Sequence, residues 1–124
     1  MISGIGIDMI EVERVAKKIG KESGFRELVF SPKEIEYCET KAKKFEHYAA
    51  RFAAKEALLK ALGTGWKTGI AFNEIETSGD DLGKPEMILL GETAKSIAAI
   101  GDIKIFVSLS HLRNIAAAVV IVQK

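Results

Sequence analysis

One stretch constrains the fold more than any other: Arg51-Phe52-Ala53-Ala54-Lys55-Glu56-Ala57-Leu58-Leu59-Lys60-Ala61-Leu62-Gly63-Thr64-Gly65. Ala, Leu, Lys and Glu are strong helix formers, and Gly63 stands where a helix ends in a left-handed residue, so the segment is predicted to be a helix closed by glycine. At about 100° per residue, Phe45, Tyr48, Ala49, Phe52 and Leu59 share one apolar stripe, and Glu56 falls inside it. Lys60 follows Glu56 by one turn, so an anion and a cation stand together at the edge of the buried face. A partly buried helix ion pair accounts for that pattern. So does a site for a metal ion and phosphate, because Gly63-Thr64-Gly65 directly follows Lys60 and bare backbone beside a lysine suits phosphate oxygens.

A chain of 124 residues is expected to form one domain, residues 1–124, with one core and something to gain from oligomerisation. Hydrophobic residues at 48% and charged residues at 28% exclude a disordered chain. The net charge of +1 gives no global attraction to nucleic acid, so no nucleic-acid partner is expected. No apolar run approaches the roughly 18 residues a membrane span needs. The opening Met1-Ile2-Ser3-Gly4 lacks the basic stretch of a signal peptide, so the expected location is the cytoplasm, away from membranes. Cys38 is the sole cysteine; it cannot pair internally, and no histidine pattern around it marks a nucleophile.

Around the central helix the chain reads as short elements. Residues 2–10 form a glycine-interrupted apolar segment, predicted to be a buried strand with Ile5 and Ile7 on one face and Asp8 at its end. An acid there is costly to bury uncompensated, so Asp8 either caps the next helix or serves as a ligand. Over residues 11–21, Val12, Val15, Ala16 and Ile19 follow helical spacing while Arg14, Lys17, Lys18 and Lys21 gather on the opposite side. Such a face is either simply solvated or suited to an acidic partner, whether protein helix, nucleotide phosphate or anionic lipid. Gly20 and Gly24 break that helix. Ser31-Pro32-Lys33-Glu34 then combines an N-cap serine, a proline at N1 and a glutamate at N3, so a second helix starts there with Ile35 and Cys38 inward. Lys41, Lys43 and Lys44 join Arg51 in another basic cluster near the candidate phosphate site.

Past Gly69 the apolar period becomes two. Residues 70–77 and 85–90 are predicted strands joined by a turn-rich loop over 78–84. Residues 92–100 form a short helix with Ala94, Ile97 and Ala98 inward. Residues 103–110 alternate Ile103, Ile105 and Val107 against Phe106, Ser108 and Ser110, and a tight connection of His111, Leu112, Arg113 and Asn114 leads to a strand over 115–122. That last strand is apolar on both faces, so it should be central in a sheet or lie at an interface. Ser108-Leu109-Ser110-His111 invites a serine hydrolase reading, but a nucleophilic serine needs a base and a third group orienting it, and no glycine elbow surrounds either serine, so ligand-contacting serines are the favoured reading.

Three ordered stretches carry a more specific likeness. Gly4-Ile5-Gly6-Ile7-Asp8-Met9-Ile10-Glu11-Val12-Glu13-Arg14, then Arg51 to Ala57 continuing through Lys60-Ala61-Leu62-Gly63-Thr64-Gly65, then Ser108-Leu109-Ser110-His111 closely resemble the signatures of the holo-acyl-carrier-protein synthases, the small class of 4′-phosphopantetheinyl transferases. The intervals and the Gly83-Lys84-Pro85 turn agree as well, so the likeness covers nearly the whole chain. It implies an α+β fold in which a small antiparallel sheet packs with a long central helix and shorter helices. It further implies a Mg2+ ion, coenzyme A as donor and apo acyl carrier protein as acceptor. Carried over residue by residue, Asp8 and Glu56 would bind the metal, and Lys60 would meet the coenzyme A diphosphate. Gly63, Thr64, Ser108 and His111 would line the nucleotide pocket, with Arg51 or Lys44 at the 3′-phosphate. Asp8, Glu56 and Lys60 would carry the chemistry, Glu56 taking the serine proton directly or through a metal-bound water. The larger, pseudo-dimeric class has a second acid two residues after its first; this chain has Ile10, so water should replace that ligand. Arg14, Lys17, Lys18 and Lys21 would receive the acidic carrier.

Two other functions use some of the same residues. A coenzyme A-binding module without turnover would not need both Asp8 and Glu56, and a metal-dependent coenzyme A or nucleotide diphosphate hydrolase would have no use for the basic face. A homotrimer with active sites between subunits is expected, since the apolar last strand covers its own helices with one face and needs a partner for the other. A charge at Ala118 or Val120 is expected to break that assembly.

Overall fold

The computed structural model describes residues 1–21, 24–63, 70–79 and 83–124. In chain order it runs β1 (Ile2–Glu11), α1 (Val12–Lys21), α2 (Phe25–Val29), α3 (Pro32–Glu39), α4 (Lys44–Leu62), a 3₁₀ turn (Phe72–Glu74), β2 (Ile75–Gly79), β3 (Pro85–Leu89), α5 (Gly91–Ala98), β4 (Lys104–His111) and β5 (Ile115–Gln123). Two antiparallel sheets form, one ordered β1-β5-β4 and one of β2 and β3 alone. The architecture is α+β, with α4 lying across β1 and β5 of the larger sheet.

The packing of α4 follows from its alanines. Ala50, Ala53, Ala54, Ala57 and Ala61 are all buried, as are Ala116 and Ala118 of β5. Opposite them, β1 supplies Gly4 and Gly6. A Cβ on Gly4 would overlap the carbonyl oxygen of Ala61, and one on Gly6 would overlap that of Ala57. Small residues on both sides let helix and strand backbones meet at a distance no larger pair would permit. Gly63 closes α4 in the left-handed region with φ 77°, and its N–H donates to the Leu59 and Lys60 carbonyls.

Burial extends well beyond the predicted stripe of α4. Tyr48, Ala49 and Leu59 are buried as expected, Phe45, Phe52 and Glu56 are half-buried, and the opposite side of the helix is covered as well, by the sheet. Lys55 is fully buried. Its ammonium donates to Glu34 Oε1 at 2.7 Å, to the Phe72 carbonyl at 2.8 Å and to the Ile75 carbonyl. Glu34 completes the capping box of α3 with Ser31 and also accepts from the Thr77 N–H at 3.0 Å. One buried cation and one buried anion therefore tie α3, α4 and the start of β2 together. Burial holds the Lys55 ammonium below the ordinary lysine range, and the Glu34 charge opposes that shift.

Several expectations need correction. Ile5 and Ile7 do share a face of β1, but it is the outer one, where they are 66% and 65% exposed. The inward set is Gly4, Gly6, Asp8 and Ile10, because hydropathy gives glycine no sign and the close helix requires it. Asp8 neither ends the strand nor caps α1, since β1 continues to Glu11 and α1 begins at once with Val12. The strand expected over 70–77 starts only at Ile75, after the 3₁₀ turn. In α5 the inward residues are Thr93 and Ile97; Ala94 is half-buried and Ala98 exposed, as the Glu74 carboxylate caps the helix through the Thr93 N–H and hydroxyl. β5 is central as expected, but Ala118 and Val120 face α4 and are buried, so a charge at either would strike the core of the subunit rather than an interface.

Replacing Lys55 by Met leaves Glu34 charged without its cation, and should cost about 3 to 5 kcal/mol in urea unfolding. The double variant Lys55→Met/Glu34→Gln should recover much of that loss. Equal stability of Lys55→Met and the parent would show that the buried pair contributes nothing.

Candidate active site

The close approach of β1 to α4 places Asp8 beside the last turns of the helix. Lys60 Nζ lies 3.0 Å from Asp8 Oδ1 and also donates to the Ile7 carbonyl at 3.0 Å. Glu56, one turn earlier on α4, completes the group. Its carboxyl is raised above the usual carboxylate range, first by burial and then by the Asp8 charge, with Lys60 pulling the other way. Lys60 thus pairs with Asp8 and also bears electrostatically on Glu56. Carboxylate oxygens are hard donors, and this pair is chemically suited to a small divalent cation such as Mg2+. The next inward residue of β1 is the buried Ile10, and among the described residues no third His, Cys, Asp or Glu joins the pair.

A second constellation lies toward β4. There a cleft of ≈ 260 Å³ is lined by Tyr37, His47, Arg51, Ser78, Ser108 and His111, among others. The Arg51 guanidinium stacks 4.3 Å over the Tyr37 ring, and its Nε is buried without a hydrogen-bond partner among the described residues. His111 Nδ1 is 2.8 Å from Glu46 Oε1, and the His47 and His111 rings meet edge to face with centroids 5.0 Å apart. Burial keeps the His47 imidazole below the ordinary histidine range, helped by His111, Arg51 and Lys41. The cleft therefore offers a cation, hydroxyls and aromatic faces, a set suited to a phosphorylated nucleoside.

The two constellations stand on opposite edges of the larger sheet, since β1 and β4 flank β5. On α4 they also point apart: Glu56 and Lys60 lie about 140° and 180° round the helix from Arg51. Of the expected nucleotide residues, the structure brings Arg51, Ser108 and His111 into the cleft. Lys44 sits outside it, paired with Glu39 at 3.3 Å within a surface cluster that includes Arg26. Gly63 lies at the exposed end of α4, and Thr64 is outside the described residues. Arg14, Lys17 and Lys21 are exposed on α1, with Lys17 paired to Glu13 at 3.2 Å, while Lys18 is half-buried over the Phe25 ring. Tyr37, Glu46 and His47 were not legible as site residues. The one available signal was the i,i+4 spacing of His47 and Arg51, which puts both on one side of α4.

An α+β fold with an acid pair, an adjacent lysine and a cleft holding a guanidinium fits an enzyme that handles phosphate groups. Residues 4–120 match the family model of the 4′-phosphopantetheinyl transferase superfamily, and the chain belongs to that superfamily. Among curated relatives, a holo-[acyl-carrier-protein] synthase of Cytophaga hutchinsonii is 49% identical over 126 residues, covering 100% of this chain and 99% of the relative. The holo-[acyl-carrier-protein] synthase of Neisseria meningitidis superposes with a TM-score of 0.90 at 31% identity, each chain covered in full (100%). An ACPS–CoA complex from Chronobacterium ammoniagenes superposes with a TM-score of 0.87 at 31% identity, over 97% of this chain and 96% of that one.

The raised carboxyl of Glu56 has a consequence for stability without metal. A group with a raised folded-state pKa contributes stability that is fully present below its unfolded pKa and is lost as pH rises through the folded value. Metal-free Glu56→Gln should therefore match or exceed the parent in thermal stability near pH 7. The gap should close as pH falls below the ordinary carboxylate range. A variant clearly less stable than the parent at neutral pH would contradict this account of the site.

Proposed function

We infer that the protein transfers the 4′-phosphopantetheine group from coenzyme A to a serine of apo acyl carrier protein, releasing 3′,5′-ADP. The observation that carries the inference is the convergence of Asp8, Glu56 and Lys60 at one edge of the sheet, in a chain that belongs to this transferase superfamily. Asp8 and Glu56 would hold Mg2+, which supplies positive charge for the diphosphate when bound. Lys60, with 56% of its side chain exposed, is free to move from Asp8 to the diphosphate and there offset the charge that builds on the leaving group. Arg51, Ser108 and His111 hold the nucleotide. The acceptor serine oxygen attacks the phosphorus bearing pantetheine, the bond from that phosphorus to the oxygen of 3′,5′-ADP breaks, and the electron pair leaves with the nucleotide. Glu56, directly or through a metal-bound water, takes the serine proton.

The carrier docks on the basic face of α1, where Arg14, Lys17, Lys18 and Lys21 complement an acidic partner. Residues 1–124 act as one domain, and the homotrimer is the working unit. The outer face of the larger sheet supports the trimer: it carries Ile5, Ile7 and Met9 of β1, Phe106 of β4 and Ile115 of β5, all exposed, beside half-buried Val119 and Ile121. Three such faces closing round an axis would bury an apolar surface too large for one subunit to leave in water. They would also bring the acid edge of one subunit to the nucleotide cleft of the next. The cytoplasm is the proposed location; the buried free thiol of Cys38 has no use for an oxidising compartment. Among the described residues no helix is long and apolar enough to cross a membrane.

Incubation with Mg2+, coenzyme A and apo acyl carrier protein should add one phosphopantetheine to the carrier by mass spectrometry. Asp8→Asn should abolish that addition while leaving the fold intact. Arg14→Glu with Lys18→Glu should raise the KM for carrier by about tenfold or more and hardly change that for coenzyme A. Turnover by Asp8→Asn at the parental rate would overturn the metal assignment, and equal losses for both substrates would remove α1 from carrier binding.

For the assembly, the informative substitution is Val119→Asp on the outer face of β5. Sedimentation should show monomers, and transfer should be lost with the assembly. A fully active monomer would refute the shared site, whereas a stable dimer would keep it and correct the symmetry.

A further inference from the structure

Glu46 lies in the first turn of α4, is 9% exposed, and stands behind His111, which lines the cleft. No part of the transfer reaction described above uses it. A buried carboxylate carries a desolvation cost that some partner must offset. Here that partner is His111, 65 residues away in sequence, whose Nδ1 stands 2.8 Å from Glu46 Oε1. A carboxylate can only accept, so the hydrogen of this bond belongs to Nδ1. Taking up Nδ1 in this way leaves Nε2 as the ring nitrogen available to a ligand, and in the neutral ring Nε2 is an acceptor. The His47 ring, edge-on at 5.0 Å, restricts rotation from the other side. His47 is in turn braced by Tyr37, whose ring stands edge-on to it at 5.7 Å.

We propose that Glu46 is a positioning residue for the nucleotide: by accepting the Nδ1 hydrogen of His111 it holds the imidazole with Nε2 presented as an acceptor to a hydroxyl or exocyclic amine of the bound nucleoside. The proposal rests on the reading of this cleft as the coenzyme A site. It makes Glu46 a determinant of how tightly coenzyme A is held, with no part in bond making or breaking. His111 stands at the last position of β4, next to the hairpin, where the backbone alone restrains it least; the carboxylate on α4 supplies the missing restraint. The same carboxylate ties the end of β4 to the start of the central helix.

Long-range 1H–15N spectra of the intact, unmutated protein should show neutral His111 protonated at Nδ1, and Glu46→Gln, which keeps an acceptor oxygen, should preserve that tautomer. Glu46→Ala should shift His111 toward the Nε2–H form and raise the KM for coenzyme A by about five- to tenfold, with kcat and the KM for carrier within about twofold of the parent. Glu46→Gln should stay within about twofold in every constant. Calorimetric titration with 3′,5′-ADP should show the same order of affinities without any dependence on transfer. An Nε2–H tautomer in the parent would overturn the proposal. So would a fall in kcat with KM unchanged, or Gln and Ala variants that behave alike. If carrier modification itself were absent while the tautomer and the 3′,5′-ADP affinities followed this order, the transferase reading would fail and the role of Glu46 would stand.

Discussion

The contact of β1 with α4 is the constraint on which the rest of the structure depends. Gly4 and Gly6 present bare backbone to the carbonyls of Ala61 and Ala57, and nothing larger than hydrogen fits between them. This closeness brings Asp8 within reach of Lys60 and Glu56 at the next inward position of the strand. A methyl group on Gly6 would push the strand away and separate the acids before it did anything else. The glycine spacing of the N-terminal segment is therefore a requirement of the site as much as of the fold.

Charge is distributed along α4 with the same economy. Lys55 and Glu56 are neighbours in sequence, yet about 100° of helical rotation sends them to different places. Lys55 turns into the subunit, where Glu34 and two backbone carbonyls satisfy it completely. Glu56 turns to the edge, where burial and Asp8 leave it short of positive charge. The first residue is saturated by its own chain, whereas the carboxyl of the second is raised by burial and by Asp8. The same contrast separates Glu34, fully partnered in the core, from Asp8, held by a lysine whose side chain is more than half exposed.

The acid edge and the cleft beside β4 lie at opposite edges of the larger sheet, whose outer face is apolar. On one chain, β5 lies between the two constellations, so neither completes the other across the front of α4. A ligand that carries both a nucleoside and a diphosphate needs both sets of groups. In the proposed trimer, apposition of one subunit's β1 edge with another's β4 edge would meet that need and cover the exposed isoleucines of β1.

Local chemistry was plainly written in the chain. The capping box of α3, the glycine closure of α4, the alternation of β4 and the central place of β5 follow from propensity, periodicity and turn residues, and the structure has each of them. The sequence also singled out Asp8, Glu56 and Lys60, because a charge in an apolar pattern announces itself. It did not determine which face of β1 is inward: a period of two leaves the two faces equivalent until a partner is present, and here glycine rather than isoleucine meets the helix. Nor could it show that Lys55 is buried, since a lysine reads as surface until Glu34 and the β2 carbonyls close round it. Glu46 and His111 became a pair only when α4 crossed the end of β4. Patterns along the chain record what each segment prefers by itself, whereas burial, pairing and the meeting of distant charges are set by which segments come to share the same space, and only the tertiary structure decides that.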